Sequence, residues 1–151
     1  MAEIVVDADA CPVKDEIYAV AARYGLHVIL VANSPLRTPD GLGFDMIVVG
    51  KEPDAADDWI ADNVRTSDVV ITADIPLAAR CIARGARVLG SNGEPFTQDS
   101  IGGALATRDL KADLREAGVT TRGPSAITSR ERSRFSSRLD GMVQASLREH
   151  S

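Results

Sequence analysis

Ile4-Val5-Val6-Asp7-Ala8-Asp9-Ala10-Cys11-Pro12 joins an apolar, β-branched run to two carboxylates and then to a proline suited to a first helical position. That order predicts a buried parallel strand, its carboxyl end, and the start of a crossover helix. Open α/β sheets bind ligands in the crevice outside the carboxyl ends of their strands. Asp7 and Asp9 repel each other there unless a cation or a shared proton intervenes. Burying two unpaired carboxylates without such a use is costly. The pair points to a divalent metal or to an acid nucleophile, and the stretch alone does not choose.

Outward from this stretch the pattern alternates. From Pro12 to Tyr24 the apolar residues Val13, Ile17, Val20 and Ala21 recur at helical spacing, and Gly25 fits a C-cap. Residues 26–32 predict a second buried strand. Asn33 to Gly43 carries two prolines and two glycines and is a loop. A third strand follows at 45–49, then a helix from Asp54 to Val64 whose first turn is acidic. Residues 69–72 form a fourth strand, Ile75 to Arg84 a helix ending at Gly85, and Arg87-Val88-Leu89 a weak fifth strand. Such alternation implies right-handed crossovers and an open parallel sheet of about five strands covered on both faces, a three-layer α/β architecture. Gly90 to Pro95 is a turn-rich connection, Thr97 to Ala117 a helix broken at Gly102-Gly103, and 118–127 a loop containing Gly123-Pro124. Thr128-Ser129-Arg130-Glu131 has capping-box spacing and opens a final helix to about Glu149, with Phe135, Leu139, Met142, Val143 and Leu147 as its apolar stripe. Residues 1–151 are expected to form a single domain, a sheet core at 1–95 and a C-terminal helical extension at 96–151 packed on the sheet.

Composition bounds the function. At 151 residues, 44% apolar and 26% charged, the chain has the balance of one globular domain. No apolar run approaches the roughly 20 residues of a membrane span, and Met1-Ala2-Glu3-Ile4 has no basic region leading into an apolar segment. Cys11 and Cys81 are too few for a disulfide framework or a Cys-rich zinc site. The expectation is a cytoplasmic protein with reduced thiols and no membrane partner. The net charge of −5 is uneven: residues 1–107 hold 8 basic against 16 acidic side chains, and residues 108–151 hold 9 against 6, eight of the nine being arginine. An acidic front with an arginine-rich rear suits a metal site combined with phosphate-gripping side chains. Solvated helix faces are the plainer explanation.

Further acids fall where the topology would gather them. Asp74, in Thr72-Ala73-Asp74-Ile75-Pro76-Leu77, follows the fourth strand at a helix start. If that strand lies beside the first, Asp7 and Asp74 share one crevice. Asp54, Asp57, Asp58 and Asp62 keep company along one helical face. Hard cations such as Mg²⁺ take oxygen ligands, and His27 and His150 lie outside these segments, which argues against zinc. Singly, Asp54 and Asp74 are ordinary helix caps, Asp68 shapes a turn, Cys11 is a small buried residue and Lys14 is exposed.

Asp7-Ala-Asp-Ala-Cys-Pro-Val-Lys14, Val70-Ile-Thr-Ala-Asp-Ile-Pro-Leu-Ala78, and Arg122-Gly-Pro124 followed by Arg130-x-Arg132-x-x-Phe135-x-x-x-Leu139-Asp140 resemble the YaiI/YqxD family of uncharacterised bacterial proteins over nearly the whole length. That family is grouped with the PIN/NYN-like domains, many of which are Mg²⁺- or Mn²⁺-dependent ribonucleases. The resemblance implies a PIN-like sheet and metal-assisted phosphodiester hydrolysis, with RNA as partner. It assigns Asp7 and Asp74 to the cation, Asp57 to binding it through water, and Asp9 to ligating or orienting. Asp58 is a substitute for Asp57, and Asp99 the nearest candidate for a fourth downstream acid. Asn33, Lys14, Arg130 and Arg132 are candidate substrate contacts, the arginines through bidentate phosphate bonds; Arg130 and Arg132 also stand i,i+2 on a helix and so point to different faces.

Two other functions compete. Haloacid-dehalogenase-like phosphatases also begin with an apolar strand and Asp-x-Asp, in which Asp7 would be the nucleophile and Asp9 the acid/base. They need a lysine near the last acidic motif, and none closely precedes Asp74. A non-catalytic RNA- or protein-binding module is the other, although the acidic front opposes unaided binding of phosphates.

Overall fold

The computed structural model describes residues 3–9, 11–38, 43–52, 54–103 and 127–149. The elements run β1 (Ile4–Asp7), α1 (Lys14–Tyr24), β2 (Val28–Ala32), β3 (Phe44–Val48), α2 (Ala55–Asn63), β4 (Val69–Ile71), α3 (Ile75–Ala83), β5 (Arg87–Leu89) and β6 (Pro95–Phe96). Residues 98–103 are helical (α4), and α5 spans Ser129–Glu149. The expected helix beyond 103 and the Gly123-Pro124 loop lie outside the described residues.

The sheet order is β3-β2-β1-β4-β5-β6. The first five strands are parallel, and β6 pairs antiparallel with β5. The sheet is therefore mixed and six-stranded rather than purely parallel with five. Pro95-Phe96 is too short to carry a periodicity, and a proline is tolerated at the margin of a sheet because it has no N–H to donate. Strand order reverses between β1 and β4, and ligand crevices of open α/β sheets form at such switch points.

Both sheet faces are buried, which explains why the central strands read as continuous apolar runs. Ile4, Val6, Val28, Leu30, Val69, Ile71 and Leu89 pack with Ile17, Val20 and Ala21 of α1 and with Phe135, Leu139 and Val143 of α5. Val5, Val31, Val70 and Val88 pack on the other face with Ile60 of α2 and Leu77, Ala78 and Cys81 of α3. Gly25 ends α1 in the left-handed region (φ 65°). Pro12, however, precedes the N-cap Val13 instead of opening the helix, because the first helical bond runs from Ile17 N–H to Val13 O (3.1 Å). The capping box of α5 closes reciprocally: Glu131 N–H donates to Thr128 Oγ1 and Thr128 N–H to Glu131 Oε1, both at 3.1 Å. Among the described residues, no helix is long and apolar enough to cross a membrane.

Candidate functional site

Asp7 is the last residue of β1, and side-chain alternation puts it on the same face as Val5, toward α2 and α3. β4 lies directly beside β1, with Val6 in register with Ile71, so Thr72 and Asp74 emerge next to Asp7. Thr72, almost fully buried, joins the two acids. Its Oγ1 donates to Asp7 Oδ2 (2.9 Å) and accepts from the Asp74 N–H (3.0 Å). Asp74 is the N-cap of α3, and its Oδ1 accepts the Leu77 N–H at 2.9 Å. Pro76 follows in the first turn, where a missing N–H is no loss. Asp7, Cys11, Ile71, Thr72, Ala73, Asp74 and Ser91 line a cavity of about 200 Å³.

Charge couples a third acid to these two. Asp57, in the first turn of α2, has its pKa pushed up to about 6, first by burial and then by the charges of Asp74, Asp7 and Asp54. Asp7 is raised too, by burial above all and by Asp74 and Asp9, against the Thr72 hydrogen bond. Asp58 faces elsewhere and pairs with Arg80 at 2.9 Å. It is therefore Asp57 rather than Asp58 that shares its electrostatics with Asp7 and Asp74, from outside the lining of the cavity. Asp9 is exposed, and its carboxylate receives the Asn33 N–H at 3.0 and 3.2 Å. It adds charge to Asp7 while tying down the chain after β2.

Asn33, Lys14 and Arg132 also make structural contacts. Asn33 Nδ2 donates to Gly50 O (2.7 Å), bracing two loops. Lys14 Nζ donates to Cys11 O at 3.2 Å. Arg132 holds Pro12 O (2.8 Å) and Glu16 (3.2 Å), fastening α5 to α1. Arg130 is exposed at the start of α5, and Asp99 is exposed on α4, outside the cavity lining. Asp68 shapes a turn as expected, accepting the Arg65 N–H at 2.9 Å. Among the described residues, Arg132, Arg134 and Arg138 of α5 act as internal clasps, donating to backbone carbonyls and pairing with carboxylates. Thr72 and Ser91 received no role from the sequence. Thr72-x-Asp74 has the spacing of a hydroxyl-capped turn and was legible as such; Ser91 carries no local signal.

The donor set is all oxygen and suits a hard cation. Asp7 and Asp57 are raised by burial and by neighbouring carboxylates, which outweigh the Arg80 charge at Asp57. Among the described residues, no three His, Cys, Asp or Glu side chains are already grouped to hold one ion. Mg²⁺ usually keeps several waters and takes one or two protein carboxylates directly, so its chemistry fits this set.

An α/β protein with acids gathered at the switch point of a mostly parallel sheet is the class defined so far. Residues 5–145 match the family described as "Uncharacterized BCR, YaiI/YqxD family". The chain is 53% identical to a UPF0178 protein of Rhodopseudomonas palustris (strain BisB18) over 93% of its length and 91% of the relative's. It is likewise 53% identical to a UPF0178 protein of Paramagnetospirillum magneticum over 98% of both chains. A UPF0178 protein of Nitrobacter winogradskyi is 52% identical over 93% of this chain and 90% of its own. The chain belongs to the YaiI/YqxD family. No solved structure gives a significant match.

Proposed function

We propose that the chain is a divalent-metal-dependent nuclease that hydrolyses phosphodiesters in RNA. The observation that carries this reading is the meeting of Asp7 and Asp74 across β1 and β4 at the switch point, with Asp57 of α2 on the same face. Asp7, Asp57 and Asp74 would hold Mg²⁺ or Mn²⁺. When bound, such an ion neutralises charge on a scissile phosphate and lowers the pKa of a coordinated water. Thr72 fixes one Asp7 oxygen and anchors the Asp74 backbone, so both carboxylates are oriented before any ligand arrives. Asp9 and Asn33 hold the neighbouring loop in place. RNA as the substrate, and the PIN-like fold, come from the resemblance to PIN/NYN domains. The phosphatase alternative is poorly supported: no described lysine bonds Asp7 or Asp74, and the Asp9 carboxylate is occupied by Asn33.

The test is cleavage of labelled single-stranded RNA by the purified chain in millimolar Mg²⁺ or Mn²⁺. Cleavage should stop with a chelator and in Asp7→Asn and Asp74→Asn. No cleavage in Mn²⁺, or full cleavage by both variants, overturns the proposal. A phospho-aspartyl adduct on Asp7 would install the phosphatase instead, and RNA binding without cleavage, unchanged in both variants, the non-catalytic module.

A further inference from the structure

The turn between β5 and β6 is held more firmly than a surface turn requires. Gly90 N–H donates to Glu94 O (2.8 Å), and Glu94 N–H to Asn92 Oδ1 (3.0 Å). From α5, Arg134 Nη2 donates to Asn92 O (3.2 Å), and Arg138 Nη1 to Gly93 O (2.8 Å) and Glu94 Oε2 (3.2 Å). Gly93 sits at φ +89°, where a Cβ would stand 3.1 Å from the Phe135 backbone nitrogen, so only glycine lets the turn lie this close to the helix. Ser91 stands apart within this clasp. Ser91 lines the acidic cavity with Asp7 and Asp74, and among the described residues nothing hydrogen-bonds its hydroxyl.

A phosphate entering that cavity needs donors, and the lining is poor in them. Asp7 and Asp74 repel it, Ile71 and Ala73 have no polar side chain, and the Thr72 hydroxyl proton is committed to Asp7. Cys11 is buried and at best a weak donor. Lys14, Arg80 and Arg132 lie outside this lining and bond Cys11 O, Asp58, and Pro12 O with Glu16.

We propose that Ser91 Oγ is a substrate-binding group of this site, donating its hydroxyl hydrogen to a non-bridging oxygen of the phosphate that the acids act on. This rests on the nuclease reading for the identity of the phosphate as that of an RNA backbone. The hydroxyl contributes binding and orientation; it forms no covalent bond and transfers no proton.

Two measurements on the full chain separate the two claims. The first is the anisotropy of a short fluorescein-labelled oligouridylate titrated in Ca²⁺, with a gel showing that the probe stays intact. The second is its cleavage in Mn²⁺. Losing a hydrogen bond to a charged oxygen costs about tenfold or more, so Ser91→Ala should weaken binding and lower kcat/KM by at least about tenfold. Ser91→Thr, which keeps the hydroxyl, should stay within a few-fold of the unsubstituted chain, and the thermal shift caused by Mn²⁺ should be the same in all three. Undiminished binding by Ser91→Ala overturns the assignment, as does a lost Mn²⁺ shift, which would make Ser91 part of the ion site. If the unsubstituted chain binds without cleaving, the nuclease reading fails while the binding ratio still decides Ser91. If it does not bind, both fall.

Discussion

The two ends of the sheet hold similar acids in opposite states. At the amino ends of the strands, the buried Asp68 carboxylate accepts the N–H groups of Glu3 (3.1 Å) and Arg65 (2.9 Å). Glu3 pairs with Arg65 and with His27 Nδ1 (2.5 Å), and His27 Nε2 reaches Asp45 at 2.9 Å. Nearly every charge there has a partner of opposite sign or a backbone donor. At the carboxyl ends, Asp7 and Asp74 line one cavity and share Thr72, Asp57 has its pKa pushed up by burial and by the charges of both, and Arg80 close by pairs with Asp58. A carboxylate count would rank the ends alike. What separates them is pairing: at one end the acids are bonded to backbone donors, Arg65 and His27, whereas at the other Asp7 and Asp57 are raised by burial and by neighbouring carboxylates, the condition the proposed ion would relieve.

Substitutions at the two ends should therefore have different consequences. The largest effect is expected for Asp7→Asn, which should cut metal-dependent cleavage by about a hundredfold or more, matching the several kcal/mol such ions supply, with folding intact by circular dichroism. Asp68→Ala should do the reverse. Two backbone donors lose their acceptor, so urea unfolding should show a loss of about 2 kcal/mol, while the folded protein cleaves RNA normally. A matching loss of activity at constant stability would erase the distinction.

Asp57→Asn sharpens the comparison through pH. The folded pKa of about 6 lies above the ordinary 3.8, so the folded state binds this proton more tightly than the unfolded chain. Stability is then fully present below the ordinary value and declines as pH rises through the folded one. Removing the charge should stabilise the protein near neutral pH, by on the order of 1 kcal/mol once solvent screening is allowed for. Near the ordinary pKa it should do little. Urea midpoints at the two pH values check this, and destabilisation at neutral pH would refute the repulsion. The smallest effect is expected from Arg65→Gln: its side chain is 63% exposed, so loss of its pair with Glu3 should cost less than about 1 kcal/mol of unfolding free energy.

Much of the fold was legible because its signals are local. The alternation of strand and helix, Gly25 at the end of α1 and the Thr128–Glu131 box all depend on residues within a few positions of each other. The adjacency of β1 and β4 followed from the common doubly wound order, and it brought Asp7 and Asp74 together as expected. β6 escaped because two residues have no period, and its partner β5 supplies the reason for its conformation. Arg132 was a candidate substrate contact, and its Nη1 also bonds Pro12 O and Glu16, more than a hundred residues away in sequence, a contact that no local signal announces.

By itself the sequence determined the layered α/β plan, the placing of acids after β1 and β4, and the family. Tertiary structure decided which of those acids face one another. Asp57 rather than Asp58 feels the charges of Asp7 and Asp74, and Asp9 accepts the Asn33 N–H. It also brought Ser91 to the cavity wall on a turn clasped by Arg134 and Arg138. Hydrophobic periodicity sets which way a side chain faces on its own element, but which groups it meets depends on strand order and helix packing.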